Sequence, residues 1–372
     1  MIIQQIDTFP LFYRLKEPYG DANGYKYYRS CYLFRIRTQS GMEGWGECID
    51  WLPTLEKGFR ERIIPFLVGK KITDRAHLVA TIQKWHKRIA AGVSMALTEI
   101  LAKVAGLSVC DLWGGKRRNV VPVYASFQSY SNHDDWIKSS ITKVETAAKA
   151  GYKQMKVKVG GKSFREDANH ISLLEKSVGE QVQIALDANQ SYDLFTALKW
   201  NALFEKSPCS LWFEEPLPVQ NNSDYSLLRS RCLLPIAGGE NIQKPIQFIS
   251  NIQAGAFDII QPDPMHLGGI DSFRDILQLA RYQKVRVSPH TFDGILSRLY
   301  AVFAQSCLPA WSKMKGEEIE SVEWDVMENP FNKLLPVEPK QGTVTVPVGI
   351  GIGVEFDEKE LEAYRWDGSS YS

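Results

Sequence analysis

The alternation of apolar and polar positions changes rhythm twice along the chain. Near the start, Tyr32-Leu33-Phe34-Arg35-Ile36-Arg37 alternates, Ser40-Gly41 supplies a turn and Trp45-Gly46-Glu47-Cys48 returns, which predicts a β-meander. Ala91 to Val104 then carries apolar residues at Val93, Leu97, Ile100, Leu101 and Val104, a helical spacing that Trp113-Gly114-Gly115-Lys116 breaks. From residue 119 onward, short β-rich runs alternate with amphipathic helical segments, the pattern of a parallel α/β fold. The runs are Val121 to Phe127, Gln154 to Gly160, Val182 to Asn189, Leu211 to Pro216, Pro235 to Asn241, Phe257 to Asp263, Val285 to His290 and a weaker Val322 to Val326. Eight such units predict a closed barrel. A doubly wound open sheet competes, yet no GxGxxG follows the first run and no P-loop pattern occurs, so neither dinucleotide nor P-loop binding is supported. The tail, Gly342 to Pro347 followed by Gly349, Gly351 and Gly353, reads as one more strand and a glycine-rich loop outside the barrel, returning to the first lobe.

Length fits this division, because 372 residues accommodate a barrel of roughly 250 residues plus an accessory part. With 44 Lys plus Arg against 43 Asp plus Glu, the formal charge of +1 supplies no basic field for nucleic acid or an anionic membrane. Neither partner is expected. The start, Met1-Ile2-Ile3-Gln4-Gln5-Ile6-Asp7, lacks a basic and then apolar leader, and no run approaches 18 apolar residues, so a soluble, cytoplasmic protein is expected. Cys31, Cys48, Cys110, Cys209, Cys232 and Cys307 are scattered without a CxxC pair, which reads as reduced core thiols rather than bridges or zinc ligands.

Candidate chemistry lies at the ends of the barrel runs, where active sites of this architecture are built. The runs end in Lys156-Val157-Lys158, Asp187-Ala188-Asn189, Glu214-Glu215-Pro216, Gly238-Gly239-Glu240-Asn241, Gln261-Pro262-Asp263 and Ser288-Pro289-His290, spaced 23 to 29 residues apart. A lone strand-end carboxylate is usually a helix cap. Three of them at one mouth are prohibitive to bury unless a cation neutralises them. Asp187, Glu214 and Glu240 offer hard oxygen donors, which suit octahedral Mg²⁺ and disfavour zinc.

Lys156 and Lys158 are two apart on a strand and therefore share a face. Two ammonium groups there either repel, lowering a pKa and freeing an amine base, or pair with the ligand carboxylates; one lysine can be paired while the other is the base. Across the barrel, Asp263 and His290 lie one strand apart and form a second acid/base pair. Surface roles are expected for His77, His86, His133 and His170, while His266 is placed to line the rim. A metal flanked by a lysine and a His–Asp pair is suited to removing a proton beside a carboxylate, giving a metal-stabilised enediolate.

On the KxK of Lys156 and Lys158, the carboxylates Asp187, Glu214 and Glu240, Asn189 and the Asp263–His290 dyad, the chain resembles the enolase superfamily over nearly its whole length, specifically the mandelate racemase-like subgroup (mandelate racemase/muconate lactonizing enzyme family). The resemblance implies an α/β fold, a modified TIM barrel (β/α)7β at 119–339, under an α+β capping domain at 1–118 completed by the tail 340–372. It implies Mg²⁺, with Lys158 and His290 as bases, and a glutamate near the last strand that binds the substrate carboxylate, for which Glu323 is chosen over Glu320. Family frequency puts acid-sugar dehydration first and racemisation, epimerisation or cycloisomerisation of a hydroxy acid or sugar-acid lactone second. Gly20 to Tyr25 and Asp50 to Pro53 are lid candidates, with Tyr25, Trp51, Gln128, Ser129 and Asn189 as candidate substrate contacts. Trp51 packing the cap, and Tyr25, Tyr27 and Tyr28 serving an interface, fit equally well, and the family's habit implies a homo-oligomer. A Schiff-base aldolase would leave the metal-spaced carboxylates without purpose, and a silent binding protein would show a broken ligand or base.

Overall fold

A computed structural model describes residues 1–219 and 222–371. Its first layer is the expected meander with longer strands, β1 (Ile3–Asp21), β2 (Gly24–Thr38) and β3 (Glu43–Cys48), all antiparallel. Helices α1 (Leu52–Gly58), α2 (Ile64–Leu67), α3 (Arg75–Gln83) and α4 (Lys87–Ala105) cover it, burying Phe34, Ile36, Phe59, Leu97 and Ile100 in one cluster. Helix α4 begins four residues before the apolar repeat because His86 Nδ1 accepts the Ile89 N–H at 3.3 Å, and it ends where Gly106 turns left-handed at φ 68°. It lies so close to β3 that a Cβ on Gly46 would meet Gly92 O at 2.4 Å. Glycine is required at that crossing.

Past the short α5 (Val109–Leu112), parallel strands alternate with helices. They run β4 (Val120–Ser126), β5 (Tyr130–Ser131), α6 (Trp136–Lys149), β6 (Gln154–Lys158), α7 (Phe164–Val178), β7 (Gln183–Asp187), α8 (Leu194–Phe204), β8 (Ser210–Glu214) and α9 (Asn222–Arg231). The series continues with β9 (Ile236–Gly238), α10 (Pro245–Ala254), β10 (Ile259–Ile260), α11 (Ile270–Tyr282), β11 (Arg286–Val287), α12 (Ile295–Cys307) and β12 (Val322–Asp325). The spatial order is β11-β10-β9-β8-β7-β6-β4-β12, and β5 leaves the barrel to pair with β1. Glu323 N–H donates to Pro289 O (3.3 Å) and Ser288 Oγ to Ser321 O (2.7 Å), which closes the circle. Seven strand–helix units followed by a bare strand make this the (β/α)7β barrel, an α/β fold carrying an α+β layer. The ladders are shorter than the apolar runs because the charged ends and the prolines 216, 262 and 289 bend away as rim loops.

The tail differs from expectation. Its strand β13 (Thr343–Thr345) pairs antiparallel with Val120–Pro122 of β4, where that strand still has a free edge before its parallel partners begin. Only afterwards does the chain reach the first layer, through Gly351 beside Ser108, Arg365 beside Leu11 and the Tyr371 hydroxyl accepting the Leu52 N–H. Helix α13 (Glu358–Ala363) lies on this return. His170 is also not at the surface; it is buried on the α7 face turned toward α6, with Nε2 3.0 Å from Ser140 Oγ, and burial lowers its pKa to about 4. All six cysteines are free thiols, and among the described residues no helix is long and apolar enough to cross a membrane.

One carboxylate joins the two layers. Glu47 of β3 is fully buried and accepts the N–H groups of Ile295 (2.8 Å), Leu296 (2.9 Å) and Ser297 (3.0 Å), capping α12, which has no side-chain cap of its own. Glu47→Ala should therefore cost about 3 kcal/mol in denaturant unfolding, with Glu47→Gln costing less because it keeps an acceptor. A midpoint unchanged from the parent in Glu47→Ala would contradict this capping role.

Candidate active site at the barrel mouth

The two lysines of β6 point into the barrel, above a plug formed by Tyr124, Ala185, Trp212, Ala237 and Ile259. Lys156 Nζ donates to Glu214 Oε1 at 2.5 Å and lies 2.9 Å from Glu323 Oε1 and 3.2 Å from Asp187 Oδ2. Lys158 Nζ has one carboxylate partner, Asp187 Oδ2 at 2.5 Å, while Ser129 Oγ accepts its backbone N–H. Glu214 is held from its other oxygen by Trp212 Nε1 (2.9 Å) and Gln261 Nε2 (2.6 Å).

Asp187, Glu214 and Glu240, from neighbouring strand ends, each bring an oxygen to within 4.8 Å of the others. Asn189 Oδ1 is buried without a hydrogen-bond partner, and buried Glu240 Oε2 has only the ion-pair contact with His290 Nε2. Burial is the main cause that pushes Glu214 up to about 8; Lys156 opposes it, and Asp187, Glu240 and Glu323 add to it. Three carboxylates from neighbouring strand ends, offering only oxygen donors within reach of one another, fit a hard divalent cation.

At the Glu240 end stands His290. Its Nδ1–H donates to Asp263 Oδ2 at 2.8 Å, and Asp263 also accepts the Met265 N–H at 2.6 Å. Nε2 is thereby left facing Glu240 Oε2 (3.3 Å) and Glu323 Oε2 (3.5 Å). Burial opposes charge on this ring, but Glu240, Glu323 and Asp263 raise its pKa to about 10. The lysines follow the same rule. Burial and mutual repulsion would lower them, yet Glu214, Glu323 and Asp187 hold Lys156 well above its ordinary value and Asp187 raises Lys158. Pairing with carboxylates outweighs the expected repulsion.

Glu323 is fully buried and engaged by Lys156, Ser126 Oγ (2.6 Å) and the Thr291 N–H (2.9 Å), while Glu320 turns away to Arg281 and the Val287 N–H. Gln128 is buried with Oε1 unpartnered. Asn189, beside Asp187, sits in a left-handed turn at φ 43° and gives its N–H to Asp187 Oδ1. The turn after β1 brings Asp21 near enough to help hold the charge of Lys158. Tyr25 donates to Ser131 O, and the Trp51 ring packs at a tilt against Tyr371 with ring centroids 4.2 Å apart, so these contacts are made to backbone and tail.

Several groups escaped the strand-end reading. Glu215, next to Glu214, is buried and pushed up to about 7 by burial and by Glu240, and it accepts from Gln190 and the Gly239 N–H. Arg29 and Lys26 reach across from β2 to Asp293, and buried Arg29 also pairs with Asp325. Arg88 donates to His266 Nε2, whose ring Nδ1–H donates to the Glu240 backbone O, so the Asp50 loop is linked to the main chain at Glu240. Long sequence separations hid these pairs. A cavity of about 430 Å³ at the opposite end of the barrel, floored by Trp212 and Ile259, holds no such convergence of charge.

Residues 140–360 match the family model described as Enolase C-terminal domain-like, and residues 13–114 match the mandelate racemase / muconate lactonizing enzyme N-terminal domain. The chain is 27% identical to a D-galactarolactone cycloisomerase of Agrobacterium fabrum, across 98% of this chain and 99% of that protein. It is 31% identical to an arabinonate dehydratase of Saccharolobus solfataricus, covering 75% and 77%. Among solved structures, a member of the enolase superfamily from Polaromonas sp. JS666 superposes with a TM-score of 0.86 at 25% identity, over 100% of both chains.

Removing Lys156 should expose the charge balance directly. Lys156→Met leaves buried carboxylates unpaired and should cost about 3–5 kcal/mol in the chelator-treated protein near pH 7. Glu323, which Lys156 holds at about 2 from an ordinary 4.5, stabilises the fold above 4.5, an effect that fades as pH falls toward 2. The deficit of the variant should accordingly hold level from pH 7 to about pH 5 and shrink as unfolding is measured from there toward pH 2; a deficit that stays unchanged down to about pH 2.5 would contradict it.

Proposed function

The chain belongs to the mandelate racemase/muconate lactonizing enzyme family of the enolase superfamily, and from that membership we propose that it is an Mg²⁺-dependent lyase that dehydrates an acid sugar. The observation that carries this reading is the placement of two acid/base groups at opposite ends of one carboxylate trio, Lys158 at Asp187 and His290 at Glu240. Asp187, Glu214 and Glu240 would hold the cation, which when bound supplies positive charge to a substrate carboxylate and acidifies its α-proton.

Lys158, whose carboxylate partner Asp187 belongs to the ligand set, is the base, and in its neutral amine form it would take the α-proton at Nζ. His290, kept protonated by Asp263 and its carboxylate neighbours, delivers a proton from Nε2 to the β-hydroxyl, which leaves as water. The enol that remains ketonises to a 2-keto-3-deoxy acid. Lys156 stays an ammonium and offsets charge developing on the carboxylate, and Glu323 fixes Lys156. Gln128 Oε1 and Asn189 Oδ1, both buried and unpartnered, are available to substrate hydroxyls.

A second reading rests on one observation, the full-length likeness to a cycloisomerase. The same Lys158 and His290 then serve an isomerisation, with proton removal on one face and return or ring opening on the other.

Two measurements test this. Incubating the Mg²⁺-loaded protein in D₂O with mono- and diacid sugars and their lactones should yield a product lighter by one water; deuterium gain on an unchanged skeleton would favour the isomerase reading instead. Chelation should abolish turnover, and Lys158→Ala and His290→Asn should each lower kcat by about 10³-fold or more. Near-parental turnover in either variant would refute its assigned role.

A further inference from the structure

Two cysteines far apart in sequence meet where the first layer joins the barrel. Cys110 lies on α5, the link between the layers, and Cys307 ends α12. The Ser306 hydroxyl is 3.5 Å from the Cys110 sulfur and 3.7 Å from the Cys307 sulfur, and Cys307 Sγ is 3.9 Å from Cys110 O. The backbone around them is fixed by the Arg117 N–H on Ser306 O (2.8 Å) and by Arg118 on Leu308 O (2.8 Å).

Cys307 differs from the other thiols, including Cys110, which its hydrogen bond to Cys307 and burial push well up. Burial pushes Cys31, Cys48, Cys209 and Cys232 up. Hydrogen bonding from Cys110, with help from Ser306 and the cations Arg274 and Arg118, draws Cys307 down to about 7. Cys307 is half-buried and Cys110 buried, the arrangement of an attacking thiolate backed by a resolving thiol.

We propose that Cys110 and Cys307 form a reversible dithiol–disulfide pair, oxidised by hydroperoxides, that staples the linking helix α5 to the barrel helix α12. The Cys307 thiolate attacks a peroxide oxygen; the O–O bond breaks, hydroxide leaves, and a sulfenic acid forms. The Cys110 sulfur then displaces that hydroxyl, so an S–O bond breaks and an S–S bond forms while the thiol proton departs with the hydroxyl as water. Two thiols are oxidised and hydrogen peroxide is reduced to two waters. The staple closes a segment of 197 residues, which restricts the unfolded chain strongly. It also fixes the far end of the helix whose start is capped by Glu47 and preceded by the His290 loop.

The test treats the full-length protein with hydrogen peroxide, alkylates the remaining thiols and maps peptides without reduction. A cross-linked Cys110–Cys307 peptide pair should appear, vanish with dithiothreitol, and be missing from Cys110→Ser and Cys307→Ser. Thermal unfolding of the oxidised parent should rise by several degrees while the oxidised variants stay unchanged. Iodoacetamide at pH 7 should modify Cys307 at least tenfold faster than the other cysteines. Conversion of Cys307 to sulfinic or sulfonic acid without a cross-link, or bridging of either cysteine to a different partner, would overturn the proposal.

Discussion

Buried charge at the barrel mouth is the constraint around which this molecule is organised. Lys156, without access to water, sits among Glu214, Glu323 and Asp187, so no member of the group can be removed or moved without leaving another ion unpaired. The surrounding neutral groups serve this set: Trp212 and Gln261 on Glu214, Ser126 and the Thr291 N–H on Glu323, Asn189 on Asp187. Such a group specifies a geometry more than it stabilises a fold. Its carboxylates pair directly with the lysines but outnumber them, a surplus of negative charge of the kind a divalent cation offsets.

The barrel and its mouth were legible in the sequence because each βα unit is local. An apolar run followed by a charged terminus gives a strand and its rim residue in the same few positions, and this recurs from Lys158 to His290. What was not legible depends on approach between distant segments. The pairing of β13 with β4 follows from a free edge that only the register of β4 with β6 and β12 reveals. The burial of His170 follows from which face of α7 meets α6, and the elevation of both lysines from carboxylates brought in by other strands. Glu47 read as part of a strand; that it caps a helix some 250 residues later could only come from the packed structure.

The two layers are joined at several places with different chemistry. Glu47 grips the start of α12, Arg29 spans Asp293 and Asp325, and Arg88 reaches Glu240 through His266. Each attachment ends within a few residues of a group at the mouth. The first layer thus supplies contacts to the main chain at Glu240 and to the His290–Asp293 loop, and the meander is part of the site's frame.

The route of the tail has a bearing on how the molecule is made. Residues 343–371 emerge from the ribosome after every segment they pack against, yet they supply the antiparallel neighbour of β4 and the tyrosine that lies on Trp51. Until they arrive, the first barrel strand keeps an open edge and the meander an uncovered aromatic face, the two features most prone to pairing with another nascent chain. The interval of translation between residues 126 and 343 is thus a period in which that edge and that face stand open.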